Sequence, residues 1–394
     1  MKFSIITPTN NTRFLKELEE TILTQTHEDW EWVVLLNNGV YYESTDVRIK
    51  VIEYKYRSDS VGFLKKYACS HATGDVIVEV DHDDLITPDC LSELAEAFSD
   101  PEVGFAYSDN AKLSDTFVPY DESFGWSYRK FDWKGKELIA MNDQPVYPGR
   151  FGYIWYAPDH VRAWRKSIYD AIGGHNEKLS VCDDLDLMHR LYIVTKFKHI
   201  DKVLYIYRIH GDNTWLNKNQ LIQNTTVDLY NKDIYKLAER FAELNNLSKI
   251  DLCGGFNKPR GYISIDKING DIKADLEYGI PLPDNSVGVI RAHDALEHIK
   301  NQQLLMSEIH RVLAPGGILL SQTPSTDGRG AWQDPTHVSF WNQNSFWYWT
   351  RSEQAKYIHN TKLFRECKLS TEFPNEHCKK NNIPYVIAHL EKLE

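Results

Sequence analysis

Short apolar runs and helically spaced apolar residues alternate over the first hundred positions. "KFSIITPT" is a run of strand type that ends in a Pro/Thr turn. "RFLKELEETILTQT" puts Phe14, Leu15, Leu18, Ile22 and Leu23 on one side of a helix. A second strand, "WEWVVLLNN", stops at Asn37-Asn38-Gly39; "VGFLKKYACSHA" returns to helical spacing, and "DVIVEVD" is a third strand. Strands separated by helices of this length predict βαβ units in a parallel sheet. Ligands of such sheets gather beyond the carboxyl ends of the strands. Pro8-Thr9, Asn37-Asn38-Gly39 and the segment from Asp81 to Asp84 all lie just past a strand end.

The stretch from Asp100 to Pro158 is less regular and rich in aromatic residues, and a second patterned region runs from Arg162 to His210. Residues 214–246 read as polar helices without a strand signal. At Lys249 a fresh alternation begins with "KIDLCGG", "GYISIDK", "DIKADL", "SVGVIRAHDALEHI" and "GGILLSQTP". The pattern predicts an α/β domain over 1–213, a helical linker over 214–247 and a second, smaller α/β domain over 248–394.

Length and composition permit this: 394 residues, 42% of them apolar, are enough for two or three cores. A net charge of −11 without a Lys/Arg block disfavours a nucleic-acid partner. The six cysteines are scattered with no C-x-x-C pair, which fits free thiols in a reducing, cytoplasmic compartment. Cys367, His377 and Cys378 make a weak zinc set and are put aside. The opening "MKFSIITPTNN" is too short in its apolar part for a signal peptide's core. No run approaches the ~20 apolar residues of a transmembrane helix.

Asp81, Asp83 and Asp84 crowd into "VDHDD" with His82. Carboxylates this close repel one another unless a cation lies between them. Oxygen ligands at a strand end suit Mg²⁺ or Mn²⁺. The alternative is a helix start, with Asp84 or Thr87 capping "DCLSELAEAF". The acids alone leave both open.

In chain order, "SIITPTNN", "ILTQTHEDWEWVVL", "VGFLKKYACSHATGD", "VDHDD", "VGFAYSDNAKL", "AIGGHNEKLSVCDDLDLMHRL" and "YRIHGDNTW" resemble the family 2 glycosyltransferases of the GT-A fold, over 1–213. The resemblance implies a divalent ion, Mn²⁺ or Mg²⁺, held against the diphosphate of a nucleotide-sugar. It implies Asp83 as metal ligand, Asp81 as a contact to ribose or metal, Asp84 as support of the turn, and His210 as a further ligand. Pro8 and Thr9 would run along the base, and Lys65 would lie near the nucleotide unless it is a solvated helix lysine. The family's pattern has Asp where this chain has Asn37, and that Asp accepts from uracil N3–H. An amide can accept too, but it also donates, so a donor other than a UDP-sugar becomes admissible. In "CDDLDLMHR" the resemblance implies Asp184 as general base, preceded by Asp183. The competing reading is an acidic first helical turn with an Asp186/Arg190 pair. Trp126, Tyr128, Trp133, Tyr153, Trp155 and Tyr156 suit a glycan or glycolipid acceptor, with core packing as the other reading of each.

"KIDLCGGFNKPRGYISID" is a strand, a Gly-rich turn and a strand ending in acid. With "DALEHI" and "EIHRVLAPGGILLSQTP" it resembles class I S-adenosylmethionine-dependent methyltransferases. That implies Gly254 and Gly255 against the methionine and ribose end, Asp266 on the ribose, and Asp275 and Leu276 flanking the adenine. Cys253 departs from the pattern by replacing its first glycine, and the short turn leaves no room for a long first helix. His293, Asp294, Asp334 and His337 are candidate bases, and the aromatics of "FWNQNSFWYWT" belong to a glycan site, a membrane surface or a packed helix. "FRECKLSTEFP" and "YVIAHLEKL" supply last antiparallel strands. The resulting expectation is a bifunctional enzyme of glycan assembly, an inverting glycosyltransferase fused to a sugar O-methyltransferase. Its rivals are a glycosyltransferase with an inactive second domain and a non-enzymatic carbohydrate-binding protein.

Overall fold

The computed structural model describes residues 1–120, 125–154, 156–211 and 213–393. The chain divides into two compact units: Met1–Val146 with Ile154–Leu229, and Tyr147–Tyr153 with Tyr230–Glu394. Trp155 lies outside the described residues. No helix among the described residues is long and apolar enough to cross a membrane.

The first unit contains β1 (Phe3–Thr9), β2 (Trp30–Leu36), β3 (Ile49–Glu53), β4 (Val76–Glu79), β5 (Leu85–Ile86), β6 (Val103–Leu113), β7 (Ser127–Trp133), β8 (Lys136–Asn142), β9 (Arg162–Arg165) and β10 (Lys196–Arg208). They form one sheet in the order β3-β2-β1-β4-β9-β6-β10-β5, and the β7-β8 hairpin joins it through β6. β1 to β4 pair in parallel, and β9 runs antiparallel between β4 and β6. Helix Leu15–Leu23 buries Leu15, Leu18 and Ile22, three of the five residues whose spacing predicts it. Helix Val61–Ser70 starts at Ser60, whose hydroxyl accepts from Phe63 N at 3.2 Å. Because β2, β1 and β4 are neighbours, Asn37, Pro8-Thr9 and the turn from Asp81 to Asp84 emerge side by side.

The stretch from Asp100 to Pro158 departs from its irregular reading, since it carries β6, β7 and β8. β6 has ten consecutive buried positions, among them Ser108, Asp109 and Asn110. Asp109 accepts from Arg129 at 2.6 Å, Asp143 N at 2.7 Å and His199 at 2.8 Å. Polar groups satisfied inside the core broke the apolar run that would have marked the strand.

The second unit contains β11 (Ser248–Leu252), β12 (Ile263–Asp266), β13 (Ile272–Lys273), β14 (Val287–His293), β15 (Leu313–Pro324), β16 (Phe364–Glu372) and β17 (Tyr385–Lys392). Their order is β13-β12-β11-β14-β15-β17-β16, with β16 and β17 antiparallel as expected. The order reverses direction between β11 and β14, which opens a crevice beyond the carboxyl ends of those strands. One face packs Ile250, Leu252, Ile290 and Leu319 on Leu305, Met306, Ile309, Phe346 and Trp349. Trp341 is also buried in that core, which makes most of "FWNQNSFWYWT" a packed helix. On the other face Val289, Ile318 and Leu320 meet Tyr230, Ile234, Ala238 and Ala242. Those last four belong to helix Asn219–Leu244, which replaces most of the expected linker and serves the first unit up to Leu229.

Candidate active site

A cleft of ≈ 1020 Å³ in the first unit is lined by Pro8, Thr9, Asn37, Lys65, Asp81, Asp83, Asp183, Asp184 and His210, so every site residue expected there faces one cavity. The acidic turn on its wall is fixed by β10. Tyr205 OH donates to Asp84 Oδ2 at 2.8 Å and accepts from Asp81 N at 3.1 Å; Arg208 N donates to Asp84 Oδ1 at 2.6 Å. Asp84 is buried, and burial together with Asp83 and Asp81 pushes its carboxyl well above the usual range. It does not cap the following helix, whose N-cap is Asp89. Asp83 Oδ2 meets His210 Nε2 at 2.8 Å, and Asp81 keeps a side chain 39% exposed to the cleft. Burial also raises the Asp81 carboxyl, although His160 and Lys65 draw it down.

Beneath this wall lies a buried network of charge. Lys65 is not a solvated helix lysine: its Nζ is 2.6 Å from Glu79 and 3.4 Å from Asp183. His160 stacks on Tyr205 with its Nδ1 3.1 Å from Asp159 and its Nε2 3.7 Å from Asp81. Burial and Arg162 lower the His160 pKa, but Asp159, Glu79 and Asp81 prevail and raise it to about 9. Glu79, His160 and Asp81 could hold a metal by distance, yet Lys65 already supplies the positive charge at Glu79.

Helix Asp183–Val194 begins at the cleft with three acids in its first turn. Asp184 accepts from Arg162 NH1 at 2.5 Å and from Leu185 N at 2.8 Å. Arg162 is itself held by the carbonyls of Pro158 and Tyr156. Burial raises the Asp184 pKa, but Arg162 and Lys65 outweigh it, and the carboxyl stays below its ordinary value. Asp183 lies deeper, and burial pushes it up to about 7 against the pull of Lys65. Asp186 pairs with Arg190 at 2.6 Å, so the helix-pair reading holds for Asp186. Sequence reasoning missed Glu79, Asp159, His160 and Arg162. Glu79 alone carried a signal, as a carboxylate closing the apolar strand "VIVE".

Asn37 donates to Ser58 O at 2.9 Å and accepts from Ser58 N at 3.4 Å, an amide edge matched to a peptide edge. Thr9 turns its hydroxyl to Asn11 O at 2.6 Å. Tyr156 stacks on Trp126 at 5.6 Å, and Tyr156 and Tyr120 line the cleft while Trp126 is buried. Tyr153 belongs to the second unit.

In the second unit the turn after β11 carries Cys253, Gly254 and Gly255. Cys253 has φ 53°, the left-handed region where glycine is favoured. A Cβ on Gly254 would lie 1.9 Å from Asp251 Oδ2, so only glycine fits there. Asp251 accepts from Arg291 at 2.7 Å through Oδ1, while Oδ2 is buried with no hydrogen-bond partner among the described residues. Asp266 Oδ1 accepts from Ile268 N and Asn269 N at 2.8 and 2.9 Å. Asp275 caps a short turn and pairs with Lys267 at 2.8 Å. Leu276, the other residue expected at the adenine, is buried in the core beside that turn. His293 is bound on both ring nitrogens, by Arg291 at 2.9 Å and Tyr235 at 2.7 Å. Burial and Arg291 lower its pKa to about 4, and the lone pair of its Nδ1 is already taken by the Arg291 guanidinium.

Residues 4–153 match the family model "Glycosyl transferase family 2", and residues 215–321 match "Methyltransferase domain". Over 330 residues the chain is 25% identical to a hyaluronan synthase of Pasteurella multocida, covering 76% of this chain and 31% of that protein. A chondroitin synthase of Escherichia coli is 22% identical, over 64% of this chain and 35% of that protein. The chain thus spans about a third of the length of these curated relatives. A probable S-adenosylmethionine-dependent methyltransferase of Mycolicibacterium smegmatis is 37% identical over 74 residues, 17% of this chain and 29% of that one. Among solved structures, S. aureus TarS 1–349 with UDP-GlcNAc has a TM-score of 0.43 at 17% identity, over 62% of this chain and 73% of that one. The two family matches lie in the two halves of the chain that the residues distinguish: a family 2 glycosyl transferase domain over residues 4–153 and a methyltransferase domain over residues 215–321.

Proposed function

We propose that the first unit transfers a sugar from a nucleotide-sugar to a hydroxyl of a glycan or glycolipid, with inversion. The observation that carries this reading is the presence of the Asp83/His210 pair and the Asp184/Arg162 pair in one cleft. Carboxylate and imidazole suit a divalent ion such as Mn²⁺. Asp83 and His210 would hold it, with Asp81 at the exposed edge. When bound, such an ion supplies positive charge to the leaving diphosphate. Asp184, ionised at neutral pH, takes the acceptor hydroxyl's proton as that oxygen attacks the anomeric carbon. The bond from that carbon to the diphosphate oxygen breaks in the same displacement, which inverts the centre. Arg162 keeps the Asp184 carboxylate in one orientation, while Pro8, Thr9 and Asn37 form the nucleotide side of the cleft. Asn37 Oδ1 already accepts from Ser58 N at 3.4 Å, and the second lone pair of that carbonyl can accept from a uracil N3–H. A UDP-sugar is therefore the first donor to try. The hyaluronan and chondroitin synthases among the relatives favour a glycan acceptor, and the six free cysteines favour a cytoplasmic setting.

For the second unit we propose S-adenosylmethionine-dependent O-methylation of a sugar. The Asp251 oxygen suits the ligand's amino group, and a Cβ on Gly255 would meet only Cys253 O, at 4.0 Å. The ligand when bound supplies an electrophilic methyl group. Cys253 in the left-handed region favours the alternative, a domain that keeps the shape without the activity. A donor screen with Mn²⁺, read as released nucleotide diphosphate, tests the first reaction. Release is expected from the wild type and lost in Asp83→Ala; activity undiminished by excess EDTA would overturn the metal-dependent reading. Calorimetry with S-adenosylmethionine tests the second. Heat that disappears in Asp251→Asn is expected, and none at millimolar ligand leaves the scaffold reading.

A further inference from the structure

Beyond the carboxyl ends of β14 and β15 lies a cluster that neither proposed reaction uses. Glu297 is 1% exposed; its Oε2 accepts from Thr323 Oγ1 at 2.7 Å. Its Oε1 is buried with no hydrogen-bond partner among the described residues. An oxygen stranded in this way bears its full desolvation penalty unless a donor or a cation meets it. Two histidines converge on the same place. His298 Nδ1 lies 3.2 Å from Thr336 O, and His337 Nδ1 lies 3.0 Å from Ala331 O. A ring nitrogen that donates to a carbonyl carries the proton and leaves Nε2 with a free lone pair. One ligand atom from each of Glu297, His298 and His337 lies within 4.8 Å of the others. Val338 N and Ser339 N donate to Glu297 O at 2.9 and 3.0 Å, so backbone hydrogen bonds pin the two segments together. Asp334 Oδ2 is 4.0 Å from His337 Nε2, and its Oδ1 is held by Thr336.

We propose that Glu297, His298 and His337 bind one divalent transition-metal ion of the zinc type, with a fourth position open. Two imidazoles and a carboxylate are the donors zinc takes where one position stays free. Mg²⁺ is disfavoured because it prefers oxygen ligands. The carbonyls behind each Nδ1 and the hydroxyl behind Glu297 Oε2 are the outer contacts that fix such ligands. The two rings also pack edge to face at 5.1 Å, which explains their proximity but gives Glu297 Oε1 nothing. The open position would take water or an oxygen of a bound acceptor. The site does not depend on either reaction proposed above.

The test uses the full chain, stripped with chelator and titrated with Co²⁺, then with Zn²⁺ in competition. The visible absorption of one tetrahedral Co²⁺ site is expected, displaced by Zn²⁺. His337→Ala and His298→Ala should abolish that band, and the partly exposed His298 keeps the test valid if His337→Ala does not fold. Thr323→Val should weaken binding roughly 10–100-fold, as loss of an outer contact does. Asp83→Ala, in the other unit, should leave the band in place. A stripped wild type without the band, or a band that survives both histidine changes, overturns the proposal.

Discussion

Asp184 and Asp183 stand one residue apart with opposite electrostatics, and a pH profile separates their roles. Arg162 holds Asp184 below the ordinary carboxylate range, so it stays ionised well into acid. Burial holds Asp183 at about 7, so it protonates as pH falls through neutrality. With Asp184 as base, kcat/KM should stay level from about pH 8 to about pH 5, and Asp184→Asn should lower kcat by ~10²-fold or more. An acid limb centred near 7 would move the role to Asp183. Cys253 makes a second prediction at this scale. A non-glycine residue at positive φ costs roughly 1–2 kcal/mol, while glycine's extra unfolded-state freedom takes back about 0.5–1. Cys253→Gly should therefore raise the stability of the second unit by about 0.5–1 kcal/mol, read from denaturant midpoints. The replaced glycine was visible in the sequence; its left-handed backbone was not.

The acidic turn depends on a strand that follows it by more than a hundred residues. Tyr205 on β10 links Asp81 N to Asp84 through one hydroxyl. Tyr205→Phe would strand a buried carboxylate oxygen, at a cost of about 1–3 kcal/mol. A looser turn should raise the Mn²⁺ concentration for half-maximal transfer while the enzyme stays folded; unchanged Mn²⁺ dependence and melting would show that the turn holds itself. Contacts of this kind mark the limit of what the sequence reveals. β1, β2 and β4 were legible because large apolar residues predominate in them, and they located Pro8, Asn37 and Asp81. β6 was hidden because Asp109 and Asn110 are buried with partners distant in sequence. Arg162 and His160 were missed for a related reason: their roles depend on Asp184, Asp81 and Glu79, which only folding brings near.

At the scale of the whole molecule, sequence order and compact units do not coincide. Helix Asn219–Leu244 reads as a polar linker, but from Tyr230 onward it covers one face of the second sheet. Its Ala242 meets Gly288 where a Cβ would come within 2.6 Å, so the helix lies directly on β14. Tyr147–Tyr153 also belongs to the second unit, where Gly149 N donates to Glu391 at 3.0 Å. The consequence can be tested by fragments. A piece spanning 248–394, cut where the hydrophobic pattern changes, uncovers Val289, Ile318 and Leu320. Exposing three such side chains costs on the order of 5 kcal/mol at ~1.5–3 each. That is comparable with the ~5–15 kcal/mol that keeps a typical domain folded. The fragment 248–394 should therefore lack a cooperative thermal transition, whereas 230–394, which restores the helix, should show one by circular dichroism. If both melt cooperatively at the same temperature, the helix contributes little to the second unit, and the boundary belongs near residue 247 as the sequence pattern alone would have it.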